Sequence, residues 1–481
     1  MADSLNRKVK TATKWSAITE IASKLLTPIT SMVLARLLAP EAFGVVTTLN
    51  MIITFAEIFT DAGFQKYLVQ HEFNDEQDKN ESTNVAFWSN FILSLLIWGI
   101  IALFADPLAA LVGNSGLGYV LIIACAAIPL ASFSSIQMAL YKRDMDFKTL
   151  FKVRMVGICV PLFVTIPCAL IFKNFWALVV GHLVQQIINA ALLTALSPWK
   201  PRFFYSFNKL KEMLSFTIWS MFEAVSIWLT SYVDVFIVGS MLSQHYLGLY
   251  KTSSTIVGQI MGLITATTTP ILFSALSRLQ DDENEFRGLF FRFQKLVGLL
   301  VLPIGVGIYC YSELITTIVL GEQWLEASGF VGLWGLTSAF AIVLSHYASE
   351  VYRAKGKPKL SVLAQWLHII VLWPTLFISV KYGFEVLYTA RSLVRFELII
   401  VNLIILYCSI GISPWDMLKN VLPAISASLL MFGVSKLLLM AGSGILWQIA
   451  SVGICSGCYI LLIALFPNER TLIMNFIKKK I

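Results

Sequence analysis

The sequence predicts an all-α polytopic membrane protein of about fourteen transmembrane helices, arranged as two parallel six-helix lobes plus two appended helices. Three observations carry this. The 481 residues are 57% hydrophobic and only 13% charged, against roughly a quarter charged in soluble domains. Apolar runs of about 20 residues, the length that crosses a hydrocarbon core of about 30 Å, recur from end to end. Two short patterns also recur in order, half a chain apart.

The runs lie at 15–38, 43–68, 83–105, 117–140, 150–172, 175–197, 212–239, 248–276, 290–320, 326–352, 360–381, 384–410, 418–440 and 445–466. They lack the alternation of barrel strands, and backbone in lipid must satisfy its own hydrogen bonds, so each run is a helix. The first, WSAITEIASKLLTPITSMVLARLL, follows Arg7, Lys8, Lys10 and Lys14 without a small-residue cleavage site. It therefore reads as a retained span behind an N-terminus at 1–14. LARLLAPEAFGVV (34–46) after run one matches VGSMLSQHYLGLY (238–250) after run seven, pairing Gly44 with Gly248. ALYKRDMDFK (139–148) likewise matches EVYRAKGKPK (350–359). The repeat gives an N-lobe at 15–197, a linker at 198–211, a C-lobe at 212–410, two added spans at 418–466 and a basic tail at 467–481. Six helices per copy make the copies parallel, with a substrate site expected between them near the midplane.

With fourteen spans, both termini and all even-numbered loops share one side. Most of the 36 basic residues lie there, including Lys142, Arg143, Lys148, Lys152 and Arg154 in one loop and Lys478, Lys479 and Lys480 at the end. The odd-numbered loops hold little beyond Lys173 and Lys381, so the side with both termini and the even-numbered loops is predicted to be cytoplasmic. The net charge of +8 reflects this asymmetry. It faces anionic lipid headgroups and not nucleic acid, because no basic domain with interleaved aromatics accompanies it. The seven cysteines form no disulfide framework; Cys455 and Cys458 lie within the last run, where Gly453 and Gly457 predict a close helix contact. Asp144 and Asp146 form a D-x-D in a short basic loop, without the nucleotide-binding fold that glycosyl transfer would need. The acidic stretch HEFNDEQDKNE (71–81) reads as a solvated loop, open to contact with biosynthetic enzymes.

TKWSAI (13–18), LARLLAPEAFG (34–44), FTDAGF (59–64), LYKRDMDF (140–147), SALSRLQDD (274–282) and VLGEQW (319–324) together resemble the Wzx-type polysaccharide flippases. The resemblance is to the colanic acid exporter branch of the multidrug/oligosaccharidyl-lipid/polysaccharide exporter superfamily, and it covers nearly the whole chain. It implies a two-lobed transporter, not an enzyme, in the bacterial inner membrane. The implied cargo is an undecaprenyl-diphosphate-linked oligosaccharide, moved to the periplasmic leaflet with its tail left among membrane lipids. No cofactor is implied. In related flippases the two added helices line a groove for the lipid tail.

Such a cargo needs cations for its diphosphate and polar side chains for its glycan. Lys24, Arg391 and Arg395 are the candidate diphosphate ligands, Arg through its bidentate fork and Lys as a point charge. Glu20, Asn50, Gln186 and Asn402 lie on polar stripes at helical spacing that lipid would not tolerate. Glu20 and Lys24, one turn apart, equally fit a self-neutralising pair, and the two arginines fit structural partners of carboxylates in run seven. Arg36, near the helix end, reads as an interfacial anchor. The sequence lacks a G-x-x-x-x-G-K-[ST] motif, so transport should draw on an ion gradient or the membrane potential. Glu57, Asp61, Glu223 and Asp234 are the candidate relay groups, each also readable as a structural partner of a basic residue. The competing function is a multidrug or cation exporter of the same superfamily, for which twelve spans and a carboxylate-rich cavity would be expected. A membrane polymerase or transferase would need a long extracytoplasmic loop, which the odd-numbered connections do not supply.

Overall fold

The computed structural model describes residues 2–61, 64–467 and 469. Thirteen helices among them are long and apolar enough to cross a membrane. The remaining expected span falls on a 35-residue helix whose end, Ile227–Met241, is apolar. The chain is an all-α polytopic membrane protein, and its contacts divide it into two compact units, Met1–Lys251 and Thr252–Ile481.

The first unit contains α1 (Ala2–Leu37), α2 (Pro40–Asp61), α3 (Phe64–Gln70), α4 (Glu76–Leu103), α5 (Ala105–Leu111), α6 (Gly118–Cys125), α7 (Ala127–Arg143), α8 (Phe147–Val160), α9 (Ile166–Phe172), α10 (Trp176–Leu196) and α11 (Phe207–Met241). The unit boundary falls inside α12 (Gln244–Ser277). Val45, Leu49 and Ile53 of α2 pack against Val120 and Leu121 of α6 and Ile128 of α7. A second core joins Leu68, Phe87, Ile136 and Met213. Exposed Ile21, Leu25 and Ile29 on α1 are what a lipid-facing helix requires.

The second unit contains α13 (Glu283–Cys310), α14 (Ser312–Val319), α15 (Ser328–Ala341), α16 (Ala348–Ala354), α17 (Lys359–Ser379), α18 (Phe384–Leu393), α19 (Arg395–Ile410), α20 (Pro414–Ala441) and α21 (Ile445–Ala464). Here α13 packs on α15 and α20, and α20 on α21.

Helix ends depart from the apolar runs where polar caps extend them. Asp75 accepts the Asp78 N–H at 2.7 Å and starts α4 at Glu76, ahead of the run at 83. Asp282 does the same for α13. The expected span 290–320 stops at Cys310, where Tyr311 leaves helical geometry and α14 begins anew. Span five contains a π segment, Pro161–Thr165, beginning at a proline that has no N–H to give. Span twelve breaks at Val394 without proline or glycine.

Two features of the sequence acquire a structural role. Asp146 of the D-x-D caps α8, accepting from the Thr149 N–H at 3.1 Å and the Thr149 hydroxyl at 2.6 Å. The 198–211 linker is strapped to α4. Trp88 donates to the Arg202 carbonyl at 2.8 Å, the Arg202 N–H donates to Asn84 at 2.7 Å, and Lys209 pairs with Asp78 at 2.5 Å and Glu81 at 3.2 Å. The acidic stretch is therefore partly neutralised from within. The expected close contact at Gly453 and Gly457 is not made: a Cβ at either would meet open space. The buried side of α21 is instead that of Ser451, Cys455 and Tyr459, and all seven cysteines are free.

Candidate functional site

In the first unit α2, α3, α4, α7, α10 and α11 border an open cavity of about 540 Å³. Its wall carries Glu57, Gln65, Asn90, Lys142, Gln186 and Asn189. The cavity stays open because α7 supplies small side chains whose hydroxyls bond back to their own helix, Ser132 to the Pro129 carbonyl at 2.7 Å and Ser134 to Ala131 at 2.9 Å. Asn90 donates to the Ser135 hydroxyl at 2.7 Å, while its Oδ1 is buried without a partner in the structure. Lys142 reaches Gln65 at 3.4 Å. A carboxylate, an ammonium and four amides around one space can bind a polar, hydroxyl-rich or charged group in a medium where each interaction outweighs its value in water.

The other expected residues of this unit are placed differently. Lys24 is half-buried and Glu20 exposed, and no ion pair between them is found among the described residues. Ser23, Thr30 and Leu34 form the packed side of α1, and Glu20, Lys24 and Thr27 lie along its flank, between that side and the exposed Ile21, Leu25 and Ile29. Asn50 is half-buried and does not line the cavity. Asp234 accepts from the buried Tyr250 hydroxyl at 2.8 Å, which ties α11 to α12. The side chains of Asp61 and Glu223 lie outside the described residues. Among the described relay candidates, Glu57 is the one on a cavity wall.

In the second unit Arg391 and Arg395 share one aromatic platform. The Arg391 guanidinium lies 4.9 Å and that of Arg395 3.2 Å from the centre of the Trp334 ring, and Arg395 also donates to the Ser338 hydroxyl. The break at Val394 sits between the two arginines. Glu397 is taken by His368 at 2.8 Å. Cation–π stacking orients a guanidinium without neutralising its charge. Asn402 is drawn into packing. The Tyr352 hydroxyl donates to its Oδ1 at 3.1 Å, and its Nδ2 donates to Ser345 at 2.9 Å and to the Leu398 carbonyl at 3.1 Å. Asn402 is therefore a buried helix-to-helix link and not part of a cavity wall.

A second cavity in this unit, of about 480 Å³, is apolar. Leu300, Ile304 and Gly307 of α13, Met431 of α20, and Val452 and Ile460 of α21 line it. Its polar groups are turned elsewhere, as with the Tyr459 hydroxyl, which donates to the Leu299 carbonyl at 2.9 Å. Such a space fits a hydrocarbon chain.

Sequence reasoning missed Asn90, Lys142 and Trp334. Each stands alone in an apolar run or among basic loop residues, so helical periodicity gave no signal. A tryptophan four residues before a serine, in a span facing two stacked arginines, is visible only once the helices are packed.

A family model described as "Polysaccharide biosynthesis protein" matches residues 33–329. The chain is 24% identical over 369 residues to the succinoglycan biosynthesis transport protein ExoT of Rhizobium meliloti (strain 1021), covering 76% of this chain and 73% of that one. It is 23% identical over 327 residues to the lipopolysaccharide biosynthesis protein WzxC of Escherichia coli (strain K12), covering 67% and 65%. Among solved structures, the lipid II flippase MurJ in an inward closed conformation superposes with a TM-score of 0.77 at 15% identity, covering 95% of this chain and 99% of that one. That last likeness establishes the fold.

Proposed function

The chain belongs to the polysaccharide biosynthesis protein family, and from that premise we propose that it is a flippase for an undecaprenyl-diphosphate-linked oligosaccharide repeat unit. It acts in the bacterial cytoplasmic membrane, with both termini in the cytoplasm. It works by alternating access of the two copies of the six-helix repeat, 15–197 and 212–410, and serves surface polysaccharide synthesis without itself being an enzyme. The observation that carries this reading is the apolar cavity walled by α13 together with α20 and α21, the latter two being the helices that lie beyond the repeat. A water-soluble cargo has no use for it, whereas a cargo with a polyprenyl tail needs an apolar seat while its polar part crosses.

The roles divide by chemistry. Arg391 and Arg395 hold the diphosphate with paired donors, and Lys24 adds a third positive charge. Gln186, with Asn189 and Asn90, hydrogen-bonds sugar hydroxyls. Glu57 couples the cycle to an ion gradient. The experiment is photo-crosslinking with a benzophenone-bearing polyprenyl diphosphate. Wild-type protein should give cross-linked peptides from α13, α20 and α21. Gly307→Trp, at a position on the cavity lining where a Cβ meets no atom within 4 Å, should fill the cavity and reduce that yield about tenfold. Equal yields, or cross-links confined to the outer lipid-facing surface, would point to a soluble cargo and to the multidrug exporter alternative.

A further inference from the structure

Three helix ends of the first unit converge on a small pocket that the transport reading leaves unused. α7 stops at Arg143, and the chain turns sharply after it, with Met145 in the left-handed region at φ 58°. α10 stops at Leu196 because Pro198 follows. The residue before a proline is driven to extended backbone, which Ser197 adopts at φ −65° and ψ 131°. α4 starts beside them, in the turn at Glu76 that Asp75 caps. The space they border is about 190 Å³, and its lining shares no residue with that of the 540 Å³ cavity. Tyr141 and Ser197 line it. They are only 7% and 3% exposed, and neither hydroxyl has a hydrogen-bond partner among the described residues. A buried hydroxyl left unpaired is costly, so two of them on one small pocket are explained by a ligand that completes them.

We propose that this pocket binds a single sugar ring, on the side of the chain that carries the basic loops. Its wall holds charge of both signs. Glu76 and Lys79 stand 3.4 Å apart, and Asp144, the D-x-D member that does not cap α8, adds a second carboxylate. A cation would face Lys79, and an anion would face Glu76 and Asp144. A neutral polyol meets neither objection. Each of its hydroxyls both donates and accepts, so it can donate to the carboxylates, accept from Lys79, and do either with Tyr141 and Ser197. Leu140, Pro198 and Trp199 supply the apolar surface against which the C–H face of a pyranose can lie. The Trp199 ring is itself steadied by Phe87, with centroids 5.7 Å apart. The sugar is either free in the aqueous phase on that side or the end of a lipid-linked glycan, and the chemistry of recognition is the same for both. Binding here stands apart from the flippase reading, because it requires no transport.

The test uses the full chain in lipid nanodiscs, labelled with 5-fluorotryptophan and observed by fluorine NMR. The Trp199 resonance is identified by its loss in Trp199→Phe. The probes are glucose, galactose, mannose and N-acetylglucosamine, each added to saturation. At least one should move the Trp199 resonance. Tyr141→Phe and Asp144→Asn, which keep the shape of the pocket, should each raise the sugar concentration required by about tenfold, as loss of one hydrogen bond to a buried or charged group does. The unchanged positions of the other tryptophan resonances show that a variant is folded, and Ser197→Ala replaces any variant that fails this check. A Trp199 resonance that none of the four sugars moves, or one that titrates identically in both variants, would overturn the proposal. Export in inverted vesicles then identifies the source of the sugar. If the ring belongs to the cargo, Tyr141→Phe lowers export with no free sugar present. If it is free, added sugar changes wild-type export and leaves Tyr141→Phe unaffected. Failure of the binding test is distinct from failure of the flippase reading, which would show as intact surface polysaccharide in cells lacking the protein.

Discussion

Replacing Arg391 and Arg395 together by alanine is expected to lower export of the lipid-linked cargo by about a hundredfold or more. A hydrogen bond to a charged group contributes about 1.5–3 kcal/mol, and each 1.4 kcal/mol is a factor of ten. The two guanidinium groups stack on Trp334 at 4.9 and 3.2 Å, so they are held in place before a diphosphate arrives and lose little freedom on binding it. Trp334→Leu keeps both charges but removes the platform, and should weaken transport less than the double alanine variant does. Arg395→Lys should fall between, because an ammonium keeps the charge but loses the planar fork. Protein level and membrane insertion, measured by blotting of membrane fractions, should be normal throughout. Full export by both single variants and the double variant would remove these arginines from the mechanism.

The second large effect is expected from Glu57→Gln. This isosteric change keeps the cavity shape while removing the one carboxylate found among the described residues of its wall. In inside-out vesicles energised with a proton or sodium gradient, wild-type transport should follow the imposed gradient. The Gln variant should become indifferent to it and slow by about tenfold or more, since a carboxylate in a low-dielectric cavity is where binding of a small cation can be linked to a change of state. Asp234→Asn should behave differently. Asp234 accepts from Tyr250 at 2.8 Å, so its loss should loosen the start of α12 and lower thermal stability while leaving the gradient dependence intact. A Glu57→Gln protein that responds to the gradient like wild type would place the coupling elsewhere.

Much of this architecture was legible before any coordinates, because hydrocarbon thickness sets helix length and apolar runs report it directly. What escaped was local. The first turn of α4 is polar and reads as a loop, yet Asp75 and the neutralising reach of Lys209 make it helical. The break at Val394 has no proline or glycine to announce it. The polar stripes led to Glu57 and Gln186, which do line a cavity, because both belong to runs of spaced polar residues. The same reasoning selected Asn402, whose amide is consumed by Tyr352, Ser345 and Leu398 on neighbouring turns and helices. Periodicity tells which side of a helix must avoid lipid; it does not tell whether that side meets a cavity or another helix. The pairing of Gly44 with Gly248 is the converse case. It was visible as a repeat, but its meaning came only when each glycine was found against the other helix's first carbonyl.

The central claim is that this chain turns a lipid-linked oligosaccharide over in the membrane, and its most direct test is the sidedness of that lipid in cells lacking the protein. Lipids would be extracted from the deletion strain and from the complemented strain. The undecaprenyl-diphosphate oligosaccharide would then be assayed in right-side-out and inverted vesicles for access to a glycan-modifying enzyme that cannot cross membranes. The account predicts that the intermediate accumulates facing the cytoplasm, that surface polysaccharide is lost, and that wild-type protein restores both. Surface polysaccharide at the normal level, with no intermediate accumulating on the cytoplasmic side, would contradict it.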